Sequence, residues 1–303
     1  MRLALFAVLA VGCRATTHPS VAAPIVASAS ASPASWDEVF AQPAKVDVEV
    51  VLAARWAVAR EGLIDLDHPE AKTAGLKKGD APVILQVGIV RHPERGDFLV
   101  DSGIDRDLAK NEDGAVRGAV RRYLKKLRPV ISTGELVEQR DLHVTGVLMT
   151  HLHLDHVLGL ADVPDTATVW VGHGEPATRA KLYGLLRPTF GRLLAGKPAF
   201  AELPAHGIAL DPIPDAIDLF GDRSIWALPS PGHTPGSVVW LVNASDGPVL
   251  FVGDTSHTRW GWEHGVPPGK FTMDGPANAE RLTALRELVR THPEIRVVVG
   301  HEP

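Results

Sequence analysis

The sequence predicts an α/β domain whose sheets pack inside and whose helices cover them outside. Three observations carry this. Runs rich in branched residues, such as "APVILQVGIV" and "PVLFVGD", are bounded by turn formers and read as strands. Stretches such as "GPANAERLTALRELVRTH" have helical spacing with a polar face. Strands dominate first and then mix with helices, an order that suits layers built around internal sheets.

The elements follow in chain order. "MRLALFAVLAVGC" has one cation, a short apolar core and small residues before Cys13, the pattern of an export signal over residues 1–12. Its apolar run is too short for a permanent span. Cys13, the only cysteine in the chain, stands where a bacterial lipoprotein is lipidated, although Ala10 replaces the usual leucine. Lipidation there would anchor the chain to a membrane in the periplasm or cell envelope. Residues 13–44 are rich in alanine, serine and proline and read as a flexible tether. The folded domain is expected over residues 45–303. Within it, "VDVEVVLAAR", "APVILQVGIV" and "DFLVDSG" read as strands, followed by a helix around Ala115–Leu127 and the strand "VTGVLMT". Two further helices with a proline break are expected between about Glu175 and Leu194. "SIWALPSPG", "SVVWLVN" and "PVLFVGD" are successive strands. A last helix and the strand "IRVVVGH" close the chain.

Composition narrows the function. With 45% apolar and 22% charged residues, the chain is that of a globular protein, and a net charge of −5 argues against nucleic-acid binding. One basic run, "VRRYLKKLR", reads as the solvated face of a helix. No disulfide is available to a chain with one cysteine.

The chemistry lies in "MTHLHLDHVLG". On a helix, His151 and His153 would point to nearly opposite sides. In an extended segment, positions i and i+2 share a face and both rings reach one ion. Asp155 and His156 follow at the turn out of the strand. Further ligand types stand where apolar strands end: His233 in "SPGHTPGS", Asp254 in "VLFVGDTS" and His301 in "VVVGHEP". Together they make seven candidate metal ligands on loops leaving a buried scaffold. His143 and His173 read as structural. A nitrogen-rich set with a few carboxylates suits two Zn2+, with iron, manganese or cobalt as alternatives.

This set resembles the metallo-β-lactamase superfamily, whose H-x-H-x-D-H run is followed in order by His, Asp and His. "FLVDSG", ending in Asp101, matches that superfamily's first strand-end aspartate. The resemblance implies an αββα four-layer sandwich with a dinuclear site at one edge. It implies that His151, His153 and His233 hold one metal, that Asp155, His156 and His301 hold the other, and that Asp254 bridges them. Asp101 is expected to orient the histidine loop through hydrogen bonds. The implied reaction is hydrolysis by a metal-bound hydroxide, with Asp155 passing a proton to the leaving group. Among subtypes, the motifs are most similar to N-acyl homoserine lactonases, and the expected partner is a small-molecule lactone or ester. Many such lactonases place a tyrosine near the metals; Tyr183 is the residue in a suitable segment. His257, Trp260 and Trp262, in "SHTRWGWEHG", are candidate pocket residues. Lactam hydrolysis, a mononuclear iron sulfur dioxygenase and a non-catalytic metal-binding protein remain as alternatives.

Overall fold

The fold grows from strands that are apolar on both faces. The computed structural model describes residues 12–26 and 32–302, so the expected export signal lies outside the described residues except for Gly12. The first part of the chain supplies β1 (Cys13–Arg14), β2 (Ser20–Ala22), β3 (Asp47–Ala59), β4 (Asp80–His92) and β5 (Gly96–Val100). It continues with β6 (Arg128–Pro129), β7 (Val144–Leu148), β8 (Thr168–Val171), β9 (Arg179–Ala180) and β10 (Phe200–Glu202). The remainder supplies β11 (Ile208–Leu210), β12 (Ile213–Asp218), β13 (Ile225–Pro229), β14 (Val238–Ala244), β15 (Gly247–Gly253) and β16 (Arg296–Val299). One mixed sheet has the order β2-β10-β8-β7-β5-β4-β3-β6, the second runs β11 to β16 in sequence, and β1 pairs with β9 alone.

Side chains alternate across a strand, so one strand can feed two cores. In β14, Val238, Trp240 and Val242 face the core between the sheets, where Phe98, Leu148, Trp170 and Phe251 also sit. Val239 and Leu241 face the opposite way, against Leu282, Leu285 and Leu288 of the helix Gly275–Thr291. On the far side of the larger sheet, Ile89, Leu99 and Val147 pack with Leu136, Leu154 and Phe190 from helices. The layers are helix, sheet, sheet, helix, the expected αββα sandwich. Among the described residues no helix is long and apolar enough to cross a membrane.

Three expectations need correction. Much of the supposed tether is ordered onto the domain. β2 lies parallel to β10 at the sheet edge, and the helix Trp36–Phe40 buries Trp36 and Val39. Trp36 meets Trp226 edge-on at 5.4 Å, and its Nε1–H donates to the Leu210 carbonyl at 3.1 Å. One tryptophan supplies the apolar area that the surrounding alanine and serine lack. The proline break is also absent: one helix, Tyr183–Leu193, runs through Pro188 after a short 3-10 turn at Glu175–Ala177. The hydrogen bond that Pro188 cannot make belongs to the carbonyl of exposed Gly184, which water can reach. The helix expected over Ala115–Leu127 is shorter, Gly118–Tyr123 followed by a 3-10 turn at Leu124–Lys126.

Candidate metal centre

Loops at one edge of the two sheets bring the seven sequence-predicted ligands together. After β7 the chain stays extended through His153, whose φ and ψ are −73° and 156°, and the His151 and His153 rings lie 4.6 Å apart. The short helix Leu154–Val157 then turns Asp155 and His156 in behind them. His233 arrives from the turn between β13 and β14, with Nε2 2.8 Å from His153 Nδ1. Asp254 follows β15. Gly253 holds φ at 49° to make that turn, a conformation favouring glycine. His301 follows β16, where a side chain at Gly300 would collide with the Asp254 carboxylate.

Asp254 divides the cluster. Its Oδ2 faces His151 Nε2 at 3.7 Å and His233 Nε2 at 3.3 Å. Its Oδ1 faces His301 Nε2 at 3.2 Å and His156 Nε2 at 3.5 Å. Asp155 Oδ2 stands 3.5 Å from His301 Nε2. Ligand atoms of His151, His153, His233 and Asp254 lie within 4.8 Å of one another, and so do those of Asp155, His156 and His301. Buried His151 Nε2, His156 Nε2 and Asp254 Oδ1 have no hydrogen-bond partner among the described residues. Buried polar atoms normally have partners, and several such atoms converging is what a cation site requires. The donor set therefore fits divalent metal.

The opposite ring nitrogens are held from behind. Asp101 Oδ2 takes His156 Nδ1 at 2.7 Å, while Asp101 Oδ1 accepts the Thr150 amide at 2.8 Å. Asp101 itself holds a positive φ of 56°, strain that these contacts offset. His301 Nδ1 reaches the Ile84 carbonyl at 2.9 Å. A carbonyl only accepts, so Nδ1 carries a proton and Nε2 is the nitrogen turned toward the cluster.

Two residues enlarge the sequence reading. His257 is fully enclosed, with Nδ1 3.1 Å from the Leu63 carbonyl and Nε2 3.1 Å from Asp254 Oδ2. It lies inside the cluster as well as on the cleft. Glu175 carried no motif, yet its carboxylate ties two ligand loops together. Oε1 accepts the Leu152 amide at 2.8 Å, between His151 and His153. Oε2 accepts the Thr234 hydroxyl at 2.7 Å and the Gly236 amide at 3.1 Å, beside His233. Nothing in "HGEPA" marks it beforehand.

Electrostatics differ across the cluster. Burial lowers His153 to about 4 and holds His151 and His233 well below the ordinary histidine range. Burial opposes charge on His301 too, but Asp254 and Asp155 outweigh it and raise the ring to about 9. His156 is raised likewise, against burial, by Asp101 and Asp254. Burial would raise Asp254; the surrounding rings, His257 and His301 foremost, hold it well below the carboxylate range.

The cluster forms the floor of a cleft of about 600 Å³ whose walls include Trp56, Val58, Leu63, Val83, Leu186 and Tyr183. The Tyr183 ring is 6.2 Å from His153, and its hydroxyl is buried without a partner among the described residues. Trp260 and Trp262 do not join this lining. Trp260 stacks on His264 at 4.4 Å, and Trp262 is buried in the outer core with Leu282 and Leu285. Both belong to the helix Arg259–His264, and Trp260 packs partly buried on the core cluster that includes Leu63. His143 and His173 are also outside it. A second cleft, about 800 Å³, lies at the sheet edge by β2 and β10 and holds none of the cluster.

Known proteins agree with this architecture. The family model described as metallo-beta-lactamase superfamily matches residues 82–301. The chain is 28% identical to an N-acyl homoserine lactonase, AttM, of Azorhizobium caulinodans, over 71% of this chain and 80% of that protein. A quorum-quenching N-acyl homoserine lactone lactonase superposes with a TM-score of 0.59 at 16% identity, covering 86% of this chain and 93% of the other. An N-acyl homoserine lactone hydrolase with N-hexanoyl-L-homoserine at its catalytic metal centre superposes at 0.58 with 18% identity, over 86% and 94%. At such identities the two structures speak to the fold, and the family match speaks to descent. The chain belongs to the metallo-β-lactamase superfamily of metal-dependent hydrolases.

Proposed function

We propose that the protein is a dinuclear hydrolase opening a lactone, or a similar ester, that carries an apolar acyl chain. The observation that carries this reading is the convergence of unpartnered Nε2 atoms and a shared carboxylate on the floor of an apolar cleft. His151, His153 and His233 would hold one metal, Asp155, His156 and His301 the second, with Asp254 between. Two Zn2+ suit the donors, and iron, manganese or cobalt share the same preference for nitrogen and carboxylate. When bound, such a pair supplies an activated water near neutral pH and a Lewis acid for the carbonyl.

The chain's own residues do the rest. The acyl chain lies along Trp56, Val58 and Leu186, where its burial contributes about 0.8 kcal/mol per methylene. Burial, with the nearby Glu175 and Asp155 carboxylates, raises the Tyr183 pKa, so its hydroxyl stays protonated and donates to the substrate carbonyl. Asp155, partly exposed at the cleft, has an oxygen available to pass a proton to the leaving alkoxide. The kinship with AttM lactonase supports the choice of lactone among carbonyl substrates. We further infer that residues 1–12 direct export and that Cys13, exposed at the surface, is lipidated in the periplasm or cell envelope.

The test is turnover by the purified, metal-loaded protein on N-acyl homoserine lactones of graded length, with esters and β-lactams beside them. Lactone opening that improves with acyl length is the expected result. Turnover of lactams alone would overturn the lactone assignment. One iron per chain with oxygen uptake and no hydrolysis would move the protein to sulfur oxygenation.

A further inference from the structure

The basic run at Val120–Arg128 has no part in the proposed reaction, and it lies beside the mouth of the catalytic cleft. Of the nine large apolar side chains exposed among the described residues, five ring that mouth: Tyr123, Leu182, Leu185, Phe271 and Met273. Among the described residues nothing covers Leu182 and Leu185, which are 68% and 73% exposed. Contiguous exposed apolar side chains on one face mark an interaction surface.

Exposed cations gather on this face. Lys181 and Lys270 line the cleft, and Arg122 and Lys125 flank Tyr123; all four are exposed. None of these four forms an ion pair among the described residues, whereas neighbouring Arg121 and Lys126 are paired with Asp113 and Asp80. Exposed cations without a close ion pair among the described residues, set around leucine and aromatic side chains, are the pattern of a surface that lies on anionic lipid. The long cationic side chains can reach phosphates while their stems and the apolar ring enter the headgroup layer.

The strand β1 meets the same face. Cys13 pairs with Ala180, a residue of the cleft lining, and its Sγ lies 3.3 Å from the position a Cβ would take on Gly184, between Leu182 and Leu185. An acyl group attached at Cys13 would stand at the mouth of the cleft. We propose that this face is seated on an anionic bilayer, so that the cleft opens onto lipid and is filled by amphiphiles from the membrane side. A second copy of the chain fits less well. A two-fold contact through this patch sets its unpaired cations against their own copies, which opposes association.

The proposal is independent of the reaction assigned to the cluster, and its test reads contact with lipid. The full chain is mixed with vesicles of phosphatidylglycerol and phosphatidylethanolamine, or of phosphatidylcholine alone, and amide hydrogen exchange is followed by mass spectrometry. Slowed exchange confined to peptides spanning 118–128, 179–187 and 270–273, with the anionic vesicles, is expected. The variant R122E/K125E/K181E removes this protection and lowers partitioning by about fivefold for each basic side chain lost. L182S/L185S, at two exposed positions, removes the protection as well. Vesicle-bound protein whose exchange at these peptides is unchanged would show that the N-terminus alone anchors the chain, and would overturn the proposal. Protection without vesicles, together with a doubled mass in solution, would assign the face to a second copy and overturn it equally.

Discussion

The two halves of the histidine cluster are built from similar ligands but are charged differently. On the Asp254 Oδ2 side, burial keeps His151, His153 and His233 neutral, with His153 at about 4. On the Oδ1 side, burial acts in the same direction, yet Asp254, Asp155 and Asp101 raise His156 and bring His301 to about 9. The first half presents lone pairs at neutral pH. In the second, a metal must displace protons. The difference teaches that ligand identity alone does not set how a site loads: the carboxylates behind and beside each ring decide it.

The comparison can be broken most sharply at the residue both halves share. Asp254→Ala is expected to abolish loading of both halves and to lower hydrolysis by about a thousandfold, roughly 4 kcal/mol of transition-state stabilisation; elemental analysis and kcat/KM measure the two effects. His153→Ala and His301→Ala should each remove one metal and leave the other half loaded. Loss of both metals in either variant would show that the halves do not load separately. Turnover of wild-type rate in His153→Ala together with Asp155→Asn would remove the hydrolytic reading.

Smaller changes sharpen the contrast. Glu175→Gln keeps the shape of the clamp but replaces one accepting oxygen by an NH2 that faces a donor, and should cost 10- to 100-fold in affinity on the His151, His153 and His233 side only. Competition with a chelator at neutral pH measures it. His257→Ala removes a third imidazole facing Asp254 Oδ2 and should weaken that same side by about tenfold, with the other half unaffected.

Much of this centre is legible in sequence because strand ends concentrate it. His151, His153, Asp155 and His156 fall within six residues, and His233, Asp254 and His301 each follow an apolar run that reads as a strand. The i and i+2 spacing of His151 and His153 also requires the extended backbone that the structure has. What escaped was set by tertiary contact. Glu175 acts on loops 23 and 61 residues away along the chain, a relation no local pattern encodes. His257 looks like one polar residue in a tryptophan-rich loop; its enclosure depends on the Leu63 carbonyl from a distant segment. The tryptophans beside it suggested a pocket wall, but Trp262 serves the outer core. Trp36 was hidden by its surroundings, since alanine, serine and proline dominate the composition of a segment that a single indole fastens to Trp226.

The most direct test of the account is metal content per chain as a function of pH, measured by elemental analysis after equilibration of the zinc-loaded protein. A ring whose pKa is raised must give up a proton to bind metal, so its affinity falls as pH drops from about 9. A ring held near 4 meets no such competition until the solution is far more acidic. The account predicts two metals at and above neutral pH. One should be lost first on acidification, from the His156 and His301 side, and the second at distinctly lower pH. A single step that releases both metals together, or a content of one metal per chain throughout, would contradict it.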